Sequence, residues 1–134
     1  MTDVVEPVVP AADRGVTRIA ERVVARLAVQ AAREALRAEA GAPPVPHRRG
    51  GGPQATAVIS RPPSGDGTGG LASIRVAVEL GYPSDIGAQC RSVRRHIAER
   101  VRELAGMETS DVLVAVERLH SVHAGGDTAS GRVR

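Results

Sequence analysis

The clearest pattern in the chain runs from residue 71 to residue 116. Ile86, Cys90, Val93, Ile97, Val101 and Leu104 recur at steps of four, three, four, four and three. That spacing lines one face of a helix of 3.6 residues per turn. Residues 72–78 (Ala-Ser-Ile-Arg-Val-Ala-Val) and 112–116 (Val-Leu-Val-Ala-Val) flank it and alternate with many β-branched side chains, as half-buried strands do. Strand, helix and strand in this order predict a right-handed crossover between parallel strands of one sheet.

Earlier in the chain, residues 17–40 read as a helix. Ile19, Val23, Leu27, Ala31 and Ala35 form its apolar stripe, widened by Ala20, Val24 and Ala28. Gly41 and Pro43 supply the stop. Residues 42–53, rich in proline and glycine, are a loop by composition. A short strand over 54–60 centres on Val58 and Ile59, and residues 61–70 make a long hairpin-like connection to a strand over 71–80. Ser84 is the expected N-cap of the second helix, with Asp85 placed to favour the helix dipole. Gly106 ends that helix near residue 105, and a third strand is predicted over 111–122. Residues 1–14 read as a flexible lead-in and 123–134 as a disordered tail.

The order helix, strand, strand, helix, strand predicts an α/β (α+β) two-layer sandwich, with two helices on one face of a three-stranded sheet. One domain over 15–122 accounts for the periodic part of the chain. The face left uncovered is expected to carry Ser73, Arg75, Ala77 and Glu79 from the central strand. Leu113, Ala115, Glu117 and Leu119 are expected beside them, as a solvated or self-associating surface.

Composition narrows this picture. Hydrophobic residues make up 42% of the 134, yet there is one tyrosine and neither Phe nor Trp. The core must therefore be aliphatic. All 18 basic residues are arginine, against 15 acids, for a net charge of +3. An arginine-only set follows from a GC-rich genome; it also suits an anionic partner, either nucleic acid or an acidic membrane surface. The arginines fall in rows: Arg14, Arg18, Arg22 and Arg26 are four apart, continued by Arg33 and Arg37, and the second helix carries Arg91, Arg94, Arg95 and Arg102. Arg18, Arg22, Arg26, Arg91, Arg94, Arg95 and Arg102 are the candidate interaction surface. No stretch reaches the roughly 18 apolar residues of a transmembrane helix. Residues 1–13 carry acids and no basic n-region, so a cytosolic protein without a signal peptide is expected.

The search for chemistry returns little. His47, His96, His120 and His123 are scattered; His120 and His123 lack a third ligand nearby, and solvent exposure is the expectation for all four. Cys90 faces the core side of its helix, away from any base. The glycines of 65–70 have no following lysine or helix, which excludes a phosphate-binding loop. Gly67-Thr68-Gly69-Gly70 fits the GxxG of KH domains by letter but joins two strands rather than two helices. No catalytic residue, metal site or cofactor is expected, and no enzyme.

Three blocks carry a family resemblance. They are Gly15-Val16-Thr17-Arg18-Ile19-Ala20 with Val23, Leu27, Ala28, Ala31 and Ala32; Ile74-Arg75-Val76-Ala77-Val78-Glu79 with Gly81 and Ile86; and Leu104-Ala105-Gly106-Met107 with Val112, Val114 and Val116. Over residues 15–122 the chain resembles the alkaline shock protein family of envelope stress response proteins. It departs from the family pattern in Pro43, Pro44 and Pro46, in a longer hairpin, and in Leu80 where an aromatic is common. The resemblance implies a non-enzymatic cytoplasmic scaffold of Gram-positive bacteria, abundant under envelope or alkaline stress. It implies peripheral placement at the inner membrane face, through an integral-membrane partner and self-association. The arginine-only composition suits an actinobacterial member. The competing expectation is a small arginine-rich nucleic-acid-binding module, weakened by the lack of aromatic residues for stacking.

Overall fold

The computed structural model describes residues 11–39, 45, 52–63, 65–66 and 69–121. They form α1 (Ala11–Ala38), β1 (Gln54–Arg61), β2 (Leu71–Tyr82), α2 (Ile86–Ala105) and β3 (Glu108–Ser121). The sheet order is β1-β2-β3, with β1 antiparallel and β3 parallel to the central β2. This is the expected α+β arrangement, a three-stranded mixed sheet with two helices. The expected lead-in over 1–14 is corrected at its end, because α1 already begins at Ala11. Ala11 and Ala12 are strong helix formers placed directly after Pro10, and proline is tolerated only at a helix start. Residues 1–10 and the expected tail over 123–134 lie outside the described residues, as does most of the 42–53 loop.

Ile74, Val76, Val78 and Leu80 all point to the helices and are fully buried, together with Ala72. Val93, Ile97 and Val101 meet them from α2, and Val24, Ala28, Ala31, Ala32 and Ala35 from α1. The alanines let α1 lie close over the sheet without bulky side chains. Each buried Val or Ile adds about 1.5–3 kcal/mol of hydrophobic stabilisation, so this aliphatic set replaces the missing aromatics.

Two stripes differ from expectation. On α1, Ile19 and Val23 are 62% and 47% exposed, while Val24, Ala28, Ala31 and Ala35 of the expected stripe are buried. On α2, Leu104 is 57% exposed and Ile86 and Cys90 are only half-buried, whereas Gln89 is 3% exposed. Gln89 is tolerated there because its Nε2 donates to Ser84 Oγ at 2.7 Å and to the Asp85 carbonyl at 3.3 Å. Ser84 is thereby engaged and also donates to the Gly81 carbonyl. The N-cap is Asp85, whose Oδ1 accepts from the Ala88 N–H at 2.9 Å. At the other end Gly106 takes φ 67° and its N–H donates to the Arg102 carbonyl. A side chain is strained in that left-handed conformation, so Gly106→Ala is expected to destabilise the fold by about 1 kcal/mol in urea titration.

The two register shifts between β2 and β3 leave Ser110 and Glu117 as extra residues on β3. The second shift changes which side chains share a face. Before it, Leu113 and Ala115 pair with Arg75 and Ala77 on the open face, as expected. After it, Leu119 pairs with Leu80 on the helix side, and Arg118 pairs with Glu79 on the open face. The expected placement of Leu119 on the open face is corrected by this bulge at Glu117, which breaks the alternation of an ideal strand.

Candidate interaction surface

Charge is sorted across the helical layer. The buried sides of α1 and α2 face the sheet, so their opposite sides form the outer surface. Arg18, Arg22 and Arg26 on α1 and Arg91, Arg94 and Arg95 on α2 are all exposed there. None of these six has an ion pair among the described residues. Arg33 and Arg37 extend the α1 row, also exposed. Arg102 is exposed too but differs, because its guanidinium reaches Glu108 at 3.0 and 3.3 Å. That contact raises the Arg102 pKa further above its ordinary value and removes Arg102 from the free set.

The two carboxylates in the middle of α1 leave the outer face, whereas on α2 Glu99 stays exposed beside the arginines. Glu21 reaches the sheet, where its Oε2 accepts from the Ile59 N–H at 3.0 Å. Glu34 lies at the seam between the helices, with His96 Nε2 at 2.8 Å, Arg100 Nε at 3.6 Å and Gln30 Nε2 at 3.4 Å. Glu103 lies 3.4 Å from Arg100. Residue spacing alone misses this sorting, since Glu21 and Glu34 sit among the arginines in sequence and leave them in space.

The seam also sets a pH dependence. The hydrogen bond to His96, then that to Gln30, hold the Glu34 carboxyl below its ordinary value of 4.5, against the opposing effect of desolvation. A depressed folded value means the ionised carboxylate stabilises the fold above the unfolded value, and that this contribution is lost as pH falls through the folded value. Asp111 behaves likewise, lowered from 3.8 by hydrogen bonds to Ser73 and Ser110. Stability should therefore fall below pH 4.5, and in Glu34→Gln that fall should be shallower when unfolding is followed across the acid range.

The open sheet face has a different character. Val58 and Leu113 are 60% and 50% exposed, next to Thr56, Arg75 and Ala77 in the paired register. His120 is brought against Glu79 at 2.6 Å, with side-chain exposures of 17% and 19%. His120 and His96 are thus partly covered and carboxylate-bound, which corrects the expectation of solvent-exposed histidines. The β3 bulge accounts for the first, because it turns His120 to the Glu79 side. His123 and His47 lie outside the described residues. Among the described residues no group of three or more His, Cys, Asp or Glu is close enough to hold a metal ion.

Sequence reading also misses a groove of about 300 Å³ between α1 and β1. Ala25, Val29 and Ala55 form its apolar part, with Arg26, Gln30 and Arg33 alongside. Its signal was the small residue Ala55 on an edge strand, opposite two arginines seven residues apart. No helix among the described residues is long and apolar enough to cross a membrane. Comparisons with family models, with curated proteins and with solved structures find no match.

Proposed function

We propose that this chain is a non-enzymatic envelope or alkaline stress response scaffold, acting at the inner face of the cell membrane through protein–protein contacts. An integral-membrane partner anchors it, and copies of the chain associate with one another. The observation that carries this reading is the charge of the helical layer, with its free arginines outward, Glu21 of α1 turned to the sheet and Glu34 held at the seam. Like charges four apart cost a few tenths of a kcal/mol per pair. An anionic surface laid against them converts that repulsion into attraction. The resemblance of residues 15–122 to alkaline shock proteins supplies the setting, and the exposed Val58 and Leu113 give self-association a surface.

Fractionation of cells expressing the full chain tests it. The protein should sediment with membranes at low salt and leave them at high salt, because contacts between exposed charges are screened over about 10 Å at moderate ionic strength. Complete recovery in the soluble fraction at low salt contradicts the reading. The same free arginines favour nucleic-acid binding as a second reading. Its mark is an affinity for RNA or DNA that falls steeply with salt, with Tyr82 as the single aromatic available for stacking.

A further inference from the structure

We infer that the N-terminal half of α1 is a seat for an acidic amphipathic helix of a partner chain, an inference that rests on the protein–protein reading above. Val16, Ile19 and Val23 are 63%, 62% and 47% exposed. They fall at i, i+3 and i+7, the narrow seam of one helix packing on another. A wide face with Trp, Phe or Leu, as interfacial membrane helices carry, is not what they form.

Topology explains why this seam is uncovered. Glu21 of α1 meets Ile59 of β1, and Arg33 lies beside Gly52 just before that strand, so α1 runs antiparallel to β1 and parallel to β2. The crossover helix α2 runs back against β2, antiparallel to α1. Glu34 of α1 lies against His96 of α2. Eight residues from that contact, about 12 Å along each axis, α1 reaches Arg26 and α2 reaches Leu104, one residue short of its end at Ala105. Residues 11–25 of α1 therefore run past the end of α2, and no other helix of the described residues lies beside them.

Charge selects the occupant. Arg22 and Arg26 border the seam, exposed and without an ion pair among the described residues, while Glu21 is turned to the sheet. A second copy of α1 would bring arginine rows together. A helix with acidic residues flanking its apolar stripe matches both features.

The probe is a synthetic amphipathic peptide about three heptads long, with Leu in the stripe and Glu on its flanks. It is titrated into the full chain at low salt beside the same peptide with Lys for Glu. The acidic peptide should bind at least about 10-fold more tightly than the basic one. Ile19→Gln with Val23→Gln should weaken it by about 10-fold or more. Arg22→Glu with Arg26→Glu should reverse the preference. All four side chains are exposed, so an unchanged thermal midpoint shows that each variant still folds. Absence of acidic-peptide binding, equal binding of both peptides, or binding indifferent to Ile19→Gln and Val23→Gln overturns the proposal. So does dimerisation, or flotation with phosphatidylglycerol vesicles, that disappears in the same variant, since the seat then belongs to a second copy or to lipid. Salt-sensitive membrane recovery persisting after a negative peptide result leaves the scaffold reading intact and removes only this seat.

Discussion

Ile97→Ala is expected to lower the unfolding free energy by about 3 kcal/mol, and the thermal midpoint by roughly 10 °C. Leu104→Ala, on the same helical stripe one turn further along than Val101, should cost less than about 1 kcal/mol. Ile97 has no exposed surface and Leu104 is 57% exposed. The cavity left at Ile97 would be lined by aliphatic side chains fixed on β2 and by the alanines of α1. The buried core holds no aromatic ring to swing into the gap, so relaxation is limited and the cavity cost adds to the lost burial. Thermal and urea unfolding of both variants measures the contrast. Equal losses would mean that the last turn of α2 is covered like its middle.

That contrast also marks where periodicity stops informing. The six-residue stripe of α2 located the helix and its buried face, because Val93, Ile97 and Val101 repeat at helical spacing. It treated Leu104 as their equal, since spacing records which side a residue faces and not where the neighbouring element ends. The same blindness put Ile19 and Val23 in the core: α1 outruns α2, and no local pattern encodes that overhang. Strand alternation located Ile74 to Leu80 inward but failed at Glu117, where one extra residue on β3 reverses the order for Leu119 and His120. Gln89 was invisible for another reason. Its burial depends on Ser84 and Asp85 offering acceptors, a geometry created only when the turn closes.

The candidate surface was legible as arginine rows, and six of its seven residues are exposed and without an ion pair among the described residues. Arg102 was not separable from them, because Glu108 reaches it only after Gly106 turns the chain. The inward turn of Glu21 and the seam pairing of Glu34 are tertiary facts, and they make the outer face more basic than the composition implies.

Reversing that charge should have the largest functional effect. Arg91→Glu, Arg94→Glu and Arg95→Glu together are expected to reduce membrane recovery by about 10-fold or more, the scale on which opposed charges disrupt a steered interface. The fold should survive, because the three side chains are exposed and hold no ion pair among the described residues. The one local cost is a new repulsion between residue 95 and Glu99, a few tenths of a kcal/mol. Unfolding midpoints therefore separate lost docking from lost structure.

The most direct test places wild type and this triple variant side by side at equal expression, with membrane and soluble fractions quantified and midpoints measured. The wild type should be found with the membranes and be released by salt, while the variant is soluble at an unchanged midpoint. Equal membrane recovery of the two, or a wild type that is wholly soluble at low salt, contradicts the outward arginine face as the docking surface.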